Sequence, residues 1–298
     1  MLAAAASCAV VAWVAVLWFT LPDVSGLAKK NPKTTALIEQ RRAEAAADGR
    51  RFAPRQRWTT LDRVSPRLVH AVIVSEDAKF FGHEGFDWEA IRDAAERGVE
   101  QGHFSRGGST ITQQLAKNLY LGTERTLSRK VKEALLAVKL EQSLSKRRIL
   151  ALYLNVAEWA PGTFGVEAAS RRWFGCSASE LSTAQAAILA SMLPAPRKAA
   201  LGPAPRWLAR RARRCVGRLR SAGRIDASDQ AWARVEVDRL LAGESGLDEE
   251  PPKDDDSPRR GDPPSSSDAV ANGREPPTTD ADLVPVSDAA ASQPAQDR

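Results

Sequence analysis

The chain is poor in the residues that bind metals or form disulfides. Its 298 residues include only three cysteines and three histidines. Cys8, Cys176 and Cys215 show neither a Cys-x-x-Cys spacing nor a Cys/His spacing typical of metal sites. We therefore expect no metal ligands and no required cofactor. A Cys176–Cys215 disulfide is left open beside the favoured alternative of free thiols.

Several other patterns are missing as well. The phosphate-binding pattern Gly-x-x-x-x-Gly-Lys-Ser/Thr does not occur, which excludes a P-loop. Ser143 to Lys146 fit the Ser-x-x-Lys pattern of penicillin-binding transpeptidases, but the partner motifs are absent, so we interpret the match as chance. No segment alternates β-branched and polar residues as a strand does, whereas apolar residues recur at helical spacing. The sequence therefore predicts an all-α fold.

Charge is absent from residues 2–21. As a helix this segment is roughly 30 Å long, enough to cross the core of a bilayer. A cleaved signal peptide is disfavoured because no basic segment precedes the apolar run, and a buried core helix is disfavoured because nothing amphipathic flanks it. We expect residues 1–28 to form a transmembrane anchor, and the polar residues 29–57 to form a linker or stalk. The middle of this segment, residues 35–50, is compatible with a loose charged helix.

The other end of the chain lacks aromatic residues and has few aliphatic ones. Residues 244–298 are rich in Pro, Ser, Asp and Ala, which predicts a disordered acidic tail. The tail holds fourteen acidic and five basic residues, a net charge of −9 against +6 for the whole chain, which leaves +15 on the remainder. Such basicity indicates an anionic partner, which can be nucleic acid, a phospholipid surface or a phosphorylated substrate.

The body of the chain, residues 58–243, carries helix signals along most of its length. Asp87 is placed to cap a helix over 88–101, and Thr110 with Gln113 has the capping-box spacing of a helix that begins at the next residue. Further helices are expected over 129–144 after Thr126 or Ser128, and over 146–155, 180–193, 207–220 and 228–241.

The segment from Glu76 to Asp87 combines carboxylates, aromatic rings and a histidine. A glutamate of ordinary pKa, about 4.3, is ionised at neutral pH and accepts a proton. A lone acid before a loop is usually a solvated surface group, but the spacing of the whole segment outweighs that alternative. Glu76 is therefore the candidate general base, with Asp77, Phe80 and His83 in supporting positions. A hydrogen-bonded role for His83 in holding the loop is at least as well supported as a catalytic one.

Glu133 is the second candidate carboxylate. It lies in one helical row with Leu136 and Leu140, at the edge of an apolar face. Arg129 stands four residues before it, so a helix ion pair worth a few tenths of a kcal/mol is the alternative interpretation.

Hydroxyl, amide and cationic side chains crowd two predicted helix starts. The first group is Ser109, Gln113, Gln114 and Lys117, and the second is Arg125, Arg129, Lys130 and Lys132. Free N–H groups at a helix start and cationic side chains both favour phosphate. The pattern predicts an anion site beside the base, and a solvated basic face is the alternative.

Five segments resemble, in order, the five motifs of the peptidoglycan glycosyltransferases, family 51 of the glycosyltransferases. They are residues 76–87, 107–118, 129–141, 146–155 and 168–175. One match is weak, whereas five in order are highly specific. The stretch from Asn155 to Gly165 is similar to the monofunctional Gram-negative branch of the family. The length also fits this branch, because no transpeptidase domain could fit after residue 243.

The resemblance implies a lysozyme-like helical head with a small membrane-facing jaw, beside the one N-terminal transmembrane helix. It implies lipid II as the substrate, with Glu76 taking the proton from the acceptor 4-hydroxyl. That oxygen would attack C1 of the growing glycan with inversion and expel undecaprenyl pyrophosphate, with Glu133 near the donor. Lys117, Arg125 and Lys132 would neutralise the pyrophosphate, and Ser109, Gln113, Gln114 and Asn118 would contact the substrate.

The resemblance also implies partners and a location. The partners are lipid II, the growing lipid-linked glycan, the membrane and cell-wall synthesis proteins, with no nucleic acid. A divalent cation, Mg or Mn, is allowed at the pyrophosphate, although the sequence shows no site for one. The family places a single-pass protein in the inner membrane with its catalytic domain in the periplasm. Lys29 and Lys30 follow the apolar segment and favour the opposite orientation, and we follow the family.

Three positions depart from the family pattern. They are Trp173 for a common Tyr, Gln185 for a common Glu, and Asp93 near the position of an Arg.

Three other functions compete with the transferase. A lysozyme-like hydrolase also uses a glutamate, but it has no pyrophosphate to hold. A membrane-tethered scaffold would use the basic helix 207–220 to bind anionic lipid. A nucleic-acid binder gives no account of the Glu76 segment.

Overall fold

The computed structural model describes residues 2–101, 108–124 and 126–243. This part of the chain is mostly helical. Its α-helices are α1 Leu2–Thr20, α2 Ala36–Ala47, α3 Pro66–Glu76, α4 Trp88–Gln101, α5 Ile111–Ala116, α6 Leu127–Ser143, α7 Lys146–Val156, α8 Val166–Phe174, α9 Thr183–Met192, α10 Arg206–Ser221 and α11 Ala227–Ala242. A π-helical turn, Lys117–Leu121, continues α5. The predicted tail lies outside the described residues.

Helix α9 forms the centre of the core. All of its residues except Gln185 are buried, and it packs against α3, α10 and α11. Its alanine-rich sequence lets these neighbours approach closely on several sides, as expected for a helix that is apolar all round. Because α3 ends at Glu76, this packing fixes the position from which the candidate base projects.

Capping residues set the helix boundaries. The predicted capping box at Thr110 is present, and Thr126 caps α6 as expected. Helix α9 begins at Thr183, three residues later than predicted, because Ser182 and Gln185 form a second capping box. Glutamine and glutamate both serve at this position of a capping box, so the departure at Gln185 preserves the helix start.

A small sheet corrects the all-α prediction. Its strands are β1 Arg55–Gln56, β2 Glu158–Ala160 and β3 Thr163–Phe164, in the order β1-β3-β2. Strand β3 pairs parallel with β1 and antiparallel with β2. Strands of two or three residues are too short to show the alternation on which strand prediction depends. The Asn155 side chain holds the chain after β1, because it exchanges hydrogen bonds of 2.9 Å with the Thr59 backbone N–H and C=O.

The segment predicted to be a linker or stalk contains folded structure. Helix α2 buries Leu37 and Ile38 in a cluster with Phe164, and Arg41 Nε donates a hydrogen bond of 2.8 Å to the buried Glu158. The prediction relied on the polar composition of the segment. Helix α2 is held by a few apolar residues that pack against partners more than a hundred residues away in the sequence. The composition of the segment does not show such partners.

This packing predicts a stability effect. Replacing Ile38 by alanine should lower the free energy of unfolding by about 2–4 kcal/mol, because it removes buried methyl groups and leaves a cavity. Guanidinium chloride denaturation of the full chain, followed by circular dichroism, measures the change. Arg42→Ala, at an exposed position of the same helix, is the control and should change stability by less than about 0.5 kcal/mol. An equally small effect of Ile38→Ala would contradict the packing of α2 on the body.

Helix α1 touches the body near its C-terminal end. Lys139 Nζ of α6 donates a hydrogen bond of 3.1 Å to Leu21 O and lies 5.2 Å from the centroid of the Trp18 ring. Within residues 2–101, 108–124 and 126–243, no helix is both long enough and apolar enough to cross a membrane. The transmembrane helix expected within residues 1–28 is therefore not confirmed and stays a prediction.

Candidate active site

The carboxylate of Glu76, the last residue of α3, lies in a nearly closed environment. Its side chain is 10% exposed, and its Oε1 lies 3.6 Å from Arg211 Nη2. Its Oε2 accepts a hydrogen bond of 3.0 Å from Gln114 Nε2. Burial raises the pKa of Glu76, and the hydrogen bond and the nearby positive charges of Arg211, Lys117 and Arg218 offset part of this effect. Glu76 therefore binds a proton more readily than an exposed glutamate, as suits a general base.

Gln114 is held in place by the buried Tyr153. The Tyr153 hydroxyl donates a hydrogen bond of 2.9 Å to Gln114 Oε1, which leaves the amide nitrogen directed at Glu76. A tyrosine hydroxyl can donate to the amide oxygen, and the amide nitrogen can only donate. The chain from Tyr153 through Gln114 therefore fixes which end of the amide faces the carboxylate.

This chain of hydrogen bonds predicts the effect of Tyr153→Phe. We expect the rate of the catalysed reaction to fall roughly three- to tenfold, the equivalent of one lost hydrogen bond, because the amide is then free to rotate. Initial rates at saturating substrate measure the change. Tyr120→Phe is the control, because it alters the only other tyrosine of the chain, whose hydroxyl has no hydrogen bond within the described residues. Equal rates for both variants would show that Tyr153 does not orient Gln114.

Asp77 joins the end of α3 to the start of α5. His83 Nε2 lies 2.9 Å from Asp77 Oδ1, and the Ile111 N–H donates a hydrogen bond of 2.9 Å to Oδ2. The Thr110 hydroxyl adds a hydrogen bond of 2.7 Å to Gly85 O. Within the described residues, His83 contacts Asp77 and not Glu76. The structure thus favours a loop-holding role for His83 over a catalytic one.

Phe80 supports the same loop from inside the core. It is fully buried, and its ring packs edge-on against Phe81, with centroids 5.0 Å apart. Lys146 Nζ lies 4.6 Å from the centroid of the Phe80 ring and pairs with Glu141 at 2.8 Å. Phe80 therefore has a packing role beneath the Glu76 segment.

Glu133 is 3% exposed and holds two cations. Arg129 Nη1 donates to its Oε2 at 2.6 Å, and Lys130 Nζ donates to its Oε1 at 2.5 Å. The helix ion pair weighed from the sequence is therefore present. These contacts differ from a surface ion pair because Glu133 is buried, and removing the partners of a buried charge strongly destabilises the fold.

Lys117 lies in the electrostatic field of both carboxylates. Burial lowers the pKa of Lys117, and the charges of Glu133 and Glu76 oppose this effect whereas Arg129 and Lys130 add to it. Within the described part of the chain, no hydrogen bond or ion pair engages its ammonium group. A desolvated cation of this kind interacts strongly with an anionic group that enters the site.

The other predicted substrate contacts have varied surroundings. Ser109 is exposed, whereas Gln113 is buried and its Oε1 is used by the capping box at 3.1 Å. Asn118 is buried in the π-helical turn. Lys132 is half-buried. Arg125 lies outside the described residues. Substrate contact by these residues stays a prediction.

The sequence analysis missed two cations at the site. Arg211 and Arg218 reach it from α10, which the sequence marked only as a basic helix. The seven-residue spacing of Arg211 and Arg218 puts both on one helical face. The spacing does not show which element that face contacts, so the sequence alone could not place the two arginines at the site.

The cysteines and metal ligands offer no further chemistry here. Cys8, Cys176 and Cys215 are free thiols. Burial raises the pKa of Cys215 to about 11, so its thiol stays protonated and is not a nucleophile. Among the described residues, no group of three or more Cys, His, Asp or Glu side chains is placed to hold a metal ion.

A desolvated carboxylate near a half-buried lysine indicates the class of the site. Such a site removes a proton from one group and stabilises negative charge on another, as group-transfer enzymes do. A comparison with protein families agrees with this class. The sequence model of the Transglycosylase family matches residues 44–220, more than half of the chain, and the protein belongs to this family. The resemblance noted from the five motifs is thereby confirmed.

Individual relatives are similar over the same region. A protein of Laribacter hongkongensis is 50% identical over 167 residues, which are 56% of this chain and 73% of that protein. A protein of Nitrosospira multiformis is 45% identical over 192 residues, 64% of this chain and 84% of that protein. A protein of Alcanivorax borkumensis is 50% identical over 187 residues, 63% and 73% of the two chains. Each of these relatives is named a biosynthetic peptidoglycan transglycosylase.

Proposed function

We propose that this protein is a peptidoglycan glycosyltransferase that polymerises glycan from lipid II. The observation that carries the proposal is the desolvated Glu76 carboxylate, whose proton affinity is raised and which interacts electrostatically with the half-buried Lys117. A base and a cation of this kind suit a reaction in which a hydroxyl loses its proton while a pyrophosphate departs. The names of the relatives support peptidoglycan as the product.

The proposed reaction has one displacement step. Glu76 takes the proton from the 4-hydroxyl of lipid II, and that oxygen forms a bond to C1 of the lipid-linked glycan. The bond from C1 to the pyrophosphate oxygen breaks with inversion, and undecaprenyl pyrophosphate leaves with the electron pair. Lys117 stabilises the departing pyrophosphate, with Arg125 and Lys132 as further candidates. Glu133 acts near the donor by holding Arg129 and Lys130 in place.

The remaining substrate contacts follow the family resemblance. Ser109, Gln113, Gln114 and Asn118 are proposed to contact sugar or phosphate groups. A Mg or Mn ion on the pyrophosphate oxygens remains part of the proposal, and the displacement step does not depend on it.

The proposed location is the inner membrane, with the catalytic domain in the periplasm. The lipid tail of lipid II and the uncharged helix α1 (Leu2–Thr20) support this location. A membrane span within residues 1–28 and an interaction with other cell-wall synthesis proteins belong to the same proposal.

Product analysis tests the function. The detergent-solubilised full chain is incubated with labelled lipid II, and the products are separated by length beside those of a known enzyme of the family. We expect long glycan and released undecaprenyl pyrophosphate. In a parallel reaction with isolated cell-wall sacculi, we expect no shortening of the glycan.

Either of two results would contradict the proposal. Shortened glycan from sacculi, without polymer from lipid II, would identify a lysozyme-like hydrolase. No product in either reaction, under conditions in which the known enzyme works, would favour the membrane-tethered scaffold.

A further inference from the structure

Helix α10 sets two arginines against the end of α3, where Glu76 lies. Arg211 Nη2 is 3.6 Å from Glu76 Oε1. Arg218 Nη1 donates hydrogen bonds of 3.2 Å to Val74 O and 3.5 Å to Ser75 O. These carbonyls belong to the last turn of α3, whose final C=O groups have no partners within the helix. Arg218 therefore fixes the backbone from which Glu76 projects, and Arg211 faces its carboxylate.

The two oxygens of Glu76 have different partners. Oε2 accepts a hydrogen bond from Gln114, whereas Oε1 is buried and has no hydrogen bond within the described residues. Arg211 Nε is likewise buried without an acceptor. A separation of 3.6 Å exceeds the usual length of a hydrogen bond, so charge attraction is what joins Arg211 to Oε1. At a desolvated carboxylate this attraction is stronger than in water.

We propose that Arg211 and Arg218 are positioning residues for the candidate base. Arg211 keeps Glu76 ionised between turnovers through its charge, and Arg218 holds the end of α3 through its two backbone contacts. This inference rests on the proposed function, because it takes Glu76 as the proton acceptor. It adds α10 to a site that the sequence motifs place on the segments around Glu76, Lys117 and Glu133.

Other charged or titratable groups also face this carboxylate. They are Lys117 in the π-helical turn, Tyr153 in α7 and Cys215 in α10. Asp77, the next residue in the chain, is engaged by His83 and the Ile111 N–H. Tyr153 and Cys215 stay neutral over the working pH range because burial raises the pKa of each. Lys117 remains in each of the α10 variants of the experiment, so a change on removing Arg211 reports the charge of Arg211 itself.

The sign of the effect follows from this arrangement. The positive charge of Arg211 lowers the pKa of Glu76 against the raising effect of burial. Without Arg211, Glu76 keeps its proton to a higher pH, and the protonated form cannot act as a base. The acid limb of the pH profile of kcat/KM, which reports groups of the free enzyme, should therefore move to higher pH.

The experiment compares full-length variants in lipid II polymerisation across pH. Arg211→Gln should lose about tenfold in kcat/KM at a pH below the acid limb and regain most of its rate above the limb. Arg211→Lys keeps the charge and should restore most of the wild-type profile. Arg218→Gln should lower the rate at every pH without moving the limb as far, because its direct contacts are to backbone. The control is Arg214→Gln, at an exposed position of α10 whose Nε donates only to Arg210 O at 3.3 Å.

Two outcomes would overturn the inference. If Arg211→Gln loses the same factor at every pH, Arg211 supports the fold and does not set the proton affinity of Glu76. If Arg211→Gln and Arg214→Gln both match the wild type, α10 has no part in the reaction. Because the comparison needs an active wild-type enzyme, failure of the proposed function would show separately, as an absence of glycan from the wild-type protein.

Discussion

Glu76→Gln is expected to lower the rate of glycan polymerisation from lipid II by about a thousandfold. Glutamine fills the same space and can still accept the hydrogen bond from Gln114, but it cannot take a proton from the acceptor hydroxyl. General-base catalysis contributes about a hundred- to ten-thousandfold in enzymes, which sets the scale of the loss. Gel separation of labelled glycan, sampled over time at several enzyme concentrations, measures the residual rate.

The stability of this variant separates lost chemistry from lost folding. Because burial raises the pKa of Glu76, its ionised form destabilises the folded state at neutral pH relative to a neutral side chain. Glu76→Gln should therefore be at least as stable as the wild type in thermal unfolding. Glu84→Gln, an exposed change in the same segment, is the activity control. A stable Glu76→Gln protein that polymerises at the control's rate would remove Glu76 from the mechanism.

Lys117→Met is expected to have the next largest effect, a loss of about a hundredfold or more in kcat. The side chain is half-buried and lies in the field of two carboxylates, where a positive charge stabilises a departing pyrophosphate more than it does in water. Methionine keeps most of the volume and removes the charge. Lys198→Met, at an exposed position, controls for the loss of a lysine. Steady-state rates at saturating lipid II measure the effect.

The pH profile of Lys117→Arg provides a second test of the same group. Because burial lowers the pKa of Lys117, its charge is lost at a lower pH than that of an exposed lysine. This loss should produce the basic limb of the wild-type profile. Arginine stays protonated throughout the range, so the basic limb of Lys117→Arg should move to higher pH. An unchanged basic limb would mean that another group controls it.

Much of the candidate site could be predicted from local sequence. The capping box at Thr110 sets where the helix that carries Gln114 begins, with Lys117 in the turn that follows. The segment from Glu76 stands out by its composition. These signals work because each depends on residues within a few positions of one another. The same holds for Glu133, whose pairing with Arg129 follows from helical spacing.

What could not be predicted depends on contacts between distant parts of the chain. The packing of α2 on the body was hidden because its partner Phe164 lies more than a hundred residues away, and the strands were hidden by their shortness. Arg211 and Arg218 belong to a helix with many arginines, and only the packing of α10 on α3 distinguishes these two. The contact of Lys130 with Glu133 does not decide whether Lys132 binds substrate, which stays a prediction.

The bond from Asp77 to the start of α5 has an evolutionary consequence. Asp77 directly follows the proposed base, and its carboxylate accepts the Ile111 N–H of the helix that carries Gln114. This hydrogen bond joins the two ends of the intervening chain and so sets the distance from Glu76 to α5. Residues 88–101 are then free to change in sequence or length from one species to another while the spacing of the reacting groups is inherited intact.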